Sequence, residues 1–305
     1  SSDLADITIH SFKAEVLGSA IPETGKLTTS NKDVNQLISN VLWGQRGNYL
    51  SVPTDCPQRD ERLGWSGDTQ VFVGAASYNA NVAGFFHKWG QDARDSQTND
   101  GQYTDVIPRS SVVGAGNTAW GDAGIIVPYT IYKMYGDKQM IREMYTSMEK
   151  YMTWLQGRGF QGAGLAYGDW LAYESNDSGT VRKLIACAYY ALDARMMSEM
   201  AEAIGKSEDA ERYAIRYEKI KNYFQKTFLD MNGMLKSGHT TQTCYLMAIK
   251  ADLFANEGQK QMAIQELVDA IKRNGNKLGT GFVGTGILNQ TLSEAGETNM
   301  AYTLL

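Results

Sequence analysis

The chain reads as an all-α protein, a toroid of helical hairpins closed into an α/α barrel. Three observations lead there: apolar residues recur at helical spacing from Thr28 to the end, almost no strand pattern interrupts them, and no fixed-period repeat is visible. A run of antiparallel hairpins this long must close on itself or stack as a solenoid, and the missing repeat favours closure. In the closed form the loops gather over one mouth.

Residues 1–25 differ from the rest. From Asp6 to Leu17, Ile7, Ile9 and Phe12 alternate with polar residues and Ala-Glu-Val-Leu follows, a strand or two at the end of an upstream β-sandwich or linker. Residues 26–305 form the barrel. Ser30 or Asn31 can cap a first helix over 31–48, in which Val34, Leu37, Ile38, Val41 and Leu42 fall three and four apart. Ten further helical segments are predicted at 69–80, 82–97, 118–135, 138–156, 181–204, 207–228, 240–253, 257–273, 284–296 and 298–305. The longest connections, 98–117 and 157–180, hold the most Gly, Asp, Asn and Tyr, and long loops in a compact domain are usually functional. The sequence stops at Leu305 inside an apolar helical run, so the barrel is expected to be cut at its C-terminal end.

Composition excludes several classes of function. With 305 residues, 43% hydrophobic and 21% charged, the chain can bury a large core. Its net charge of −5 and lack of any basic run make nucleic acid and anionic membranes poor partners. No apolar stretch approaches the roughly 20 residues of a membrane span. Three dispersed cysteines without a Cys-x-x-Cys pair, and only three histidines, argue against a disulfide framework or zinc site. No cofactor is expected, and no metal: the acids alternate with arginines rather than taking calcium-loop spacing. Thr280-Gly-Phe-Val-Gly-Thr285 lacks the Lys-Ser/Thr ending of a phosphate loop and reads as a tight turn before a helix.

Chemistry concentrates between Asp55 and Asp68, in DCPQRDERLGWSGD. Four carboxylates and two arginines surround Trp65, a density of charge that no core element could bury unpaired. Three Trp-Gly-Asp groupings recur: Trp65-Ser66-Gly67-Asp68, Trp120-Gly121-Asp122 and Gly168-Asp169-Trp170. Each aspartate could simply cap a helix, a role worth about 1 kcal/mol. As a set they suit a sugar: indole offers an apolar face to the ring, aspartate accepts from hydroxyls, and glycine lets the backbone approach. Arg59-Asp60-Glu61-Arg62 could be a surface ion-pair network or could hold a proton donor. A donor working near neutral pH needs its pKa raised by burial or a like charge, and Asp55, Asp60, Glu61 and Asp68 are all candidates. Asp105 reads as a turn residue, and His239 as a helix cap or part of the mouth.

With the preceding Asn48-Tyr49-Leu50-Ser51-Val52-Pro53-Thr54, this motif resembles the signature of bacterial α-L-rhamnosidases of glycoside hydrolase family 78. The likeness extends to DVIP at 105–108, AWGDAG at 119–124, YGDWL at 167–171, TGFVGT at 280–285 and LSEAG at 292–296. It implies an (α/α)6 barrel that removes terminal α-L-rhamnose with inversion. By the same resemblance Glu61 is the general acid, and Asp55 and Asp68 bind the sugar. Asp122, Trp120, Asp169 and Trp170 line the pocket, and Arg59 and Trp65 support it. The family's general base lies in a Trp-Glu-Arg-Trp-like segment beyond LSEAG, which this sequence does not reach, so the fragment alone is expected to be nearly inactive. The expected partner is a small glycoside or polysaccharide bearing α-L-rhamnose. The rival expectations are an inactive sugar-binding barrel and a glycosidase for another sugar.

Overall fold

Eleven helices build the computed structural model, which describes residues 8–174 and 179–305. In chain order they are α1 (Lys32–Asn48), α2 (Ser66–Asn79), α3 (Ala83–Ser96), α4 (Ala123–Tyr135), α5 (Lys138–Gly157) and α6 (Gly179–Ala203). There follow α7 (Ser207–Phe228), α8 (Gln242–Lys250), α9 (Glu257–Arg273), α10 (Phe282–Glu294) and α11 (Thr298–Thr303). The regular strands among the described residues are a tight antiparallel pair, β1 (Tyr49–Leu50) and β2 (Val52–Pro53), turned by Ser51 at a φ of 65°.

Helix character alternates along the chain, and the alternation explains the architecture. The even-numbered α2, α4, α6, α8 and α10 pack each against the next, and α10 returns to α2, so they form the inner ring. The middle members of the ring are buried on nearly all sides, as a helix surrounded by others must be. Every residue of Leu184–Ala194 in α6 and of Gln242–Ile249 in α8 is buried. The outer helices are amphipathic. In α7 the buried set is Ala210, Tyr213, Ile220, Phe224 and Phe228, a single stripe at helical spacing. The described residues thus form the all-α hairpin toroid expected from the sequence. None of the helices is long and apolar enough to cross a membrane.

Two expectations change. Residues 8–22 form neither helix nor strand, and Ile9, Phe12, Val16 and Leu17 are exposed; Asp6 and Ile7 fall outside the described residues. Glu23 makes only an isolated bridge to Ala80. The fourth helix begins at Ala123 rather than 118, because residues 117–122 are wound into a turn around Asp122. At the start of α1, Asn31 is the cap, accepting from the N–H groups of Asp33 and Val34.

Candidate active site

The 55–68 motif forms a looped neck that feeds α2. Asp55 N–H donates to the Leu63 carbonyl at 2.9 Å, closing the base of the loop, and Cys56 and Arg62 take positive φ on either side of it. Strained backbone of this kind costs energy and marks sites held in a specific shape. Gly64 is required where the neck meets the DVIP segment. Ile107 N–H donates to its carbonyl at 2.8 Å, and a Cβ on Gly64 would sit 2.1 Å from the Ile107 oxygen. Ser66 adds a backbone and a side-chain bond to the Asp105 carbonyl.

A cleft of about 380 Å³ opens beside this neck, lined by Asp55, Asp68, Thr54, Tyr49, Phe72 and Phe282 among others. Phe282 is the first residue of α10, so the cleft lies where the inner ring closes between α10 and α2. Glu61 stands next to it, with a carboxylate oxygen within 4.8 Å of ligand atoms of both Asp55 and Cys56. Trp65 Nε1–H donates to Glu61 at 3.0 Å, and Arg59 grips the other Glu61 oxygen through Nε at 3.0 Å and Nη2. Asp60 points to solvent. The Asp55, Cys56 and Glu61 atoms could in principle chelate a cation, but the Arg59 guanidinium already supplies one to Glu61.

Behind the cleft the three Trp-Gly-Asp groupings meet through Tyr167. Its ring makes edge contacts with Trp65 at 6.0 Å and Trp170 at 6.3 Å and tilts onto Trp120 at 4.3 Å, and Trp120 stacks on Phe282 at 5.3 Å. Tyr167 OH donates to Asp105, which also accepts from the backbone and side chain of Asn117. Asp105 is therefore a buried hub that ties three loops together, a larger role than a turn residue.

The site residues divide into two groups. Asp55, Arg59, Glu61, Trp65 and Asp68 come together in and beside the cleft, and Trp170 is half exposed, 50% accessible, against Tyr167. Trp120, Asp122 and Asp169, expected to line the pocket, are instead buried behind it. Hydrogen-bond demand accounts for the two aspartates, whereas the buried Trp120 Nε1–H has no acceptor among the described residues. Asp122 accepts from Ala119 N–H and Tyr151 OH, both at 2.7 Å. Asp169 accepts from Thr243 and from the N–H groups of Gly281, Val283 and Gly284, capping α10 from a distant loop. Two residues went unread in the sequence. Phe282 is the cleft's apolar wall, and its only signal was its place inside TGFVGT. Asp193 is a lone acid in an otherwise apolar run of α6, which was itself the signal. His239 packs its ring edge-on against Phe228, and burial pushes its pKa down.

Ionisation separates the two carboxyls that matter most. Arg59 holds the Glu61 carboxyl below the ordinary range, helped by the Trp65 N–H. Burial raises Asp68 to about 7, with the nearby charge of Asp55 adding to it. The raised carboxyl expected in this motif is thus Asp68. Its sign for stability is definite. Below the ordinary aspartate value of 3.8 both folded and unfolded Asp68 are protonated, and the contribution is whole. As pH rises to about 7 the unfolded chain ionises first, and stability is lost across that window. The ceiling is on the order of 4 kcal/mol at 1.36 kcal/mol per pKa unit. Asp68→Asn is expected to flatten this loss: urea denaturation at pH 4 and pH 8 should show the variant gaining a few kcal/mol on the parent at the higher pH. Equal gaps at both pH values would remove the argument.

A family model for the bacterial α-L-rhamnosidase six-hairpin glycosidase domain matches residues 22–305. The chain belongs to that family. An α-L-rhamnosidase of Formosa agariphila is 38% identical over 299 residues, covering 96% of this chain and 32% of its own length. One from Streptomyces avermitilis is also 38% identical, covering 97% and 28%. The crystal structure of the S. avermitilis α-L-rhamnosidase complexed with L-rhamnose superposes with a TM-score of 0.88 at 38% identity, over 94% of this chain and 27% of that one. The native α-L-rhamnosidase of Aspergillus terreus gives 0.86 at 34% identity, over 94% and 34%. The chain thus spans about a third of the length of these α-L-rhamnosidases.

Proposed function

We propose that this rhamnosidase-family barrel is the catalytic domain of an inverting α-L-rhamnosidase, with terminal α-L-rhamnose bound in the cleft between α2 and α10. One observation carries the reading: Asp55, Asp68 and Phe282 line one cleft, and Glu61, held by Trp65, stands beside Asp55, in a chain of this family. Asp55 and Asp68 hold sugar hydroxyls. Phe72 and Phe282 give the deoxy sugar's methyl group an apolar wall, and Trp170 meets the aglycone side. Trp120, Asp122 and Asp169 hold the cleft from behind.

Glu61 protonates the leaving oxygen, while a carboxylate on the opposite face activates water, the two being roughly 6.5–9.5 Å apart in inverting enzymes. To donate, Glu61 must first acquire a proton that Arg59 now disfavours. Arg59 is largely exposed, so a bound sugar can displace its fork and desolvate Glu61, raising its pKa at the moment of need. A second reading has its own support: Asp68, at about 7, is already poised as an acid.

The test of the function uses the whole gene product and a panel of aryl glycosides, with the anomer released followed by proton NMR. The expected result is hydrolysis of the α-L-rhamnoside above all others, with the β-anomer of rhamnose appearing first. Faster turnover of another sugar would shift the substrate, and α-anomer appearing first would overturn inversion.

A further inference from the structure

Under the cleft lies a pair of carboxyls that the proposed chemistry leaves unused. Asp193 is wholly buried in α6, and Asp122 meets it from the start of α4. Each Asp122 oxygen already serves a donor, Oδ2 accepting from Ala119 N–H and Oδ1 from Tyr151 OH. Asp193 has no N–H or O–H donor among the described residues. Burial, and after it the like charge and hydrogen bonding of Asp122, push the Asp193 carboxyl well above the ordinary range. Two ionised carboxylates cannot share such a site: buried like charges repel strongly, and one proton between them turns repulsion into a hydrogen bond.

We propose that Asp193 is a neutral carboxylic acid that donates its proton to the Asp122 carboxylate, and that this bond is a positioning device for the sugar cleft. The path to the cleft is short. Asp122 holds the amide of Ala119, whose φ of 70° a side-chain-bearing residue rarely adopts without such help. The next residue, Trp120, lies so close over Gly67 that a Cβ there would meet the indole at 2.6 Å, and it stacks on Phe282, a wall of the cleft. Loss of the shared proton would leave Asp122 a buried charge one donor short, in the turn that carries Trp120. Asp193 touches no substrate.

The protonation stands on its own; the effect on sugar binding rests on the function proposed above, and the experiment separates them. Infrared difference spectra between the whole protein and its Asp193→Asn variant, taken above the Asp68 value of about 7, report protonated carboxyls directly. A carboxylic-acid carbonyl band present in the parent and missing in the variant is expected, whatever the substrate. Its absence from the parent would overturn the proposal. For the cleft, Asp193→Leu is expected to raise KM for an aryl α-L-rhamnoside about tenfold, with kcat changed less than about threefold, as a displaced binding wall would. Asp193→Asn, which still donates to Asp122, should restore most of that affinity. Asp122→Asn should be worse than Asp193→Asn, because an amide offers one acceptor where two donors wait. If the asparagine and leucine variants of Asp193 behave alike, Asp193 is not a positioning residue. If leucine prevents folding, the infrared band and the contrast between the two asparagine variants still decide.

Discussion

Replacing Glu61 by glutamine is expected to cost about a thousandfold in kcat on a rhamnoside whose aglycone is an ordinary alcohol, the middle of the range for removing a general acid. On an aryl rhamnoside with a strongly acidic phenol the loss should shrink to about tenfold, because such a leaving group departs with little protonation. This dependence on the leaving group, more than the size of the loss, identifies a proton donor. A residue that only binds the sugar costs the same whichever aglycone leaves. Asp68→Asn provides the contrast. If Asp68 holds hydroxyls, its variant should lose activity evenly across the series. If Asp68 is the acid, the steep dependence moves to that variant and Glu61→Gln becomes the even one. A flat response in both would falsify acid catalysis from this cleft. The alkaline limb of the pH profile, where the donor loses its proton, adds an independent reading. A donor held low by Arg59 in the free protein must be raised by the bound sugar, so the limb governing kcat should lie at higher pH than that governing kcat/KM.

How much of this was legible beforehand depends on the range of the interaction. All eleven helices could be read from periodicity, because a helix's apolar spacing is local and the chain carries it openly. Even the alternation of inner and outer helices is written in the sequence, in the contrast between the continuous apolar run of α8 and the single stripe of α7. The neck between Asp55 and Asp68 was equally visible, since Arg59, Glu61 and Trp65 lie two and four residues apart and bond to one another.

The second and third Trp-Gly-Asp groupings show less of themselves in the sequence, which offers each aspartate only the helix that follows it to cap. Asp122 bonds back to Ala119 and across to Tyr151, and Asp169 caps a helix that begins more than a hundred residues later. Capping by a distant loop leaves no mark in local spacing. Nor could residues 8–17 reveal that their alternating apolar side chains pair with no strand among the described residues. Alternation states what a segment could pair with, and pairing needs a neighbour.

Asp169 therefore carries the second large expectation. Its two oxygens satisfy three backbone N–H groups at the start of α10 and the hydroxyl of Thr243, all in a buried setting. The helix dipole adds to the attraction, since a negative charge sits at its positive end. Asp169→Ala would strand those donors without water, and each unsatisfied buried group costs about 1–3 kcal/mol. Partial relaxation limits the total, so a loss of about 3–5 kcal/mol in urea denaturation is expected. Asp169→Asn keeps one acceptor but loses the charge and the second oxygen, and about half that loss should follow. The consequence reaches the cleft, because Phe282 opens α10 and Gly281 packs so tightly under Trp170 that a Cβ would lie 2.4 Å from its carbonyl oxygen. When the cap is lost, the first turn of α10 frays and the apolar wall shifts, so KM should rise in the asparagine variant even where it is still folded. An alanine variant within about 1 kcal/mol of the parent would mean that water or rearranged loops serve those N–H groups instead.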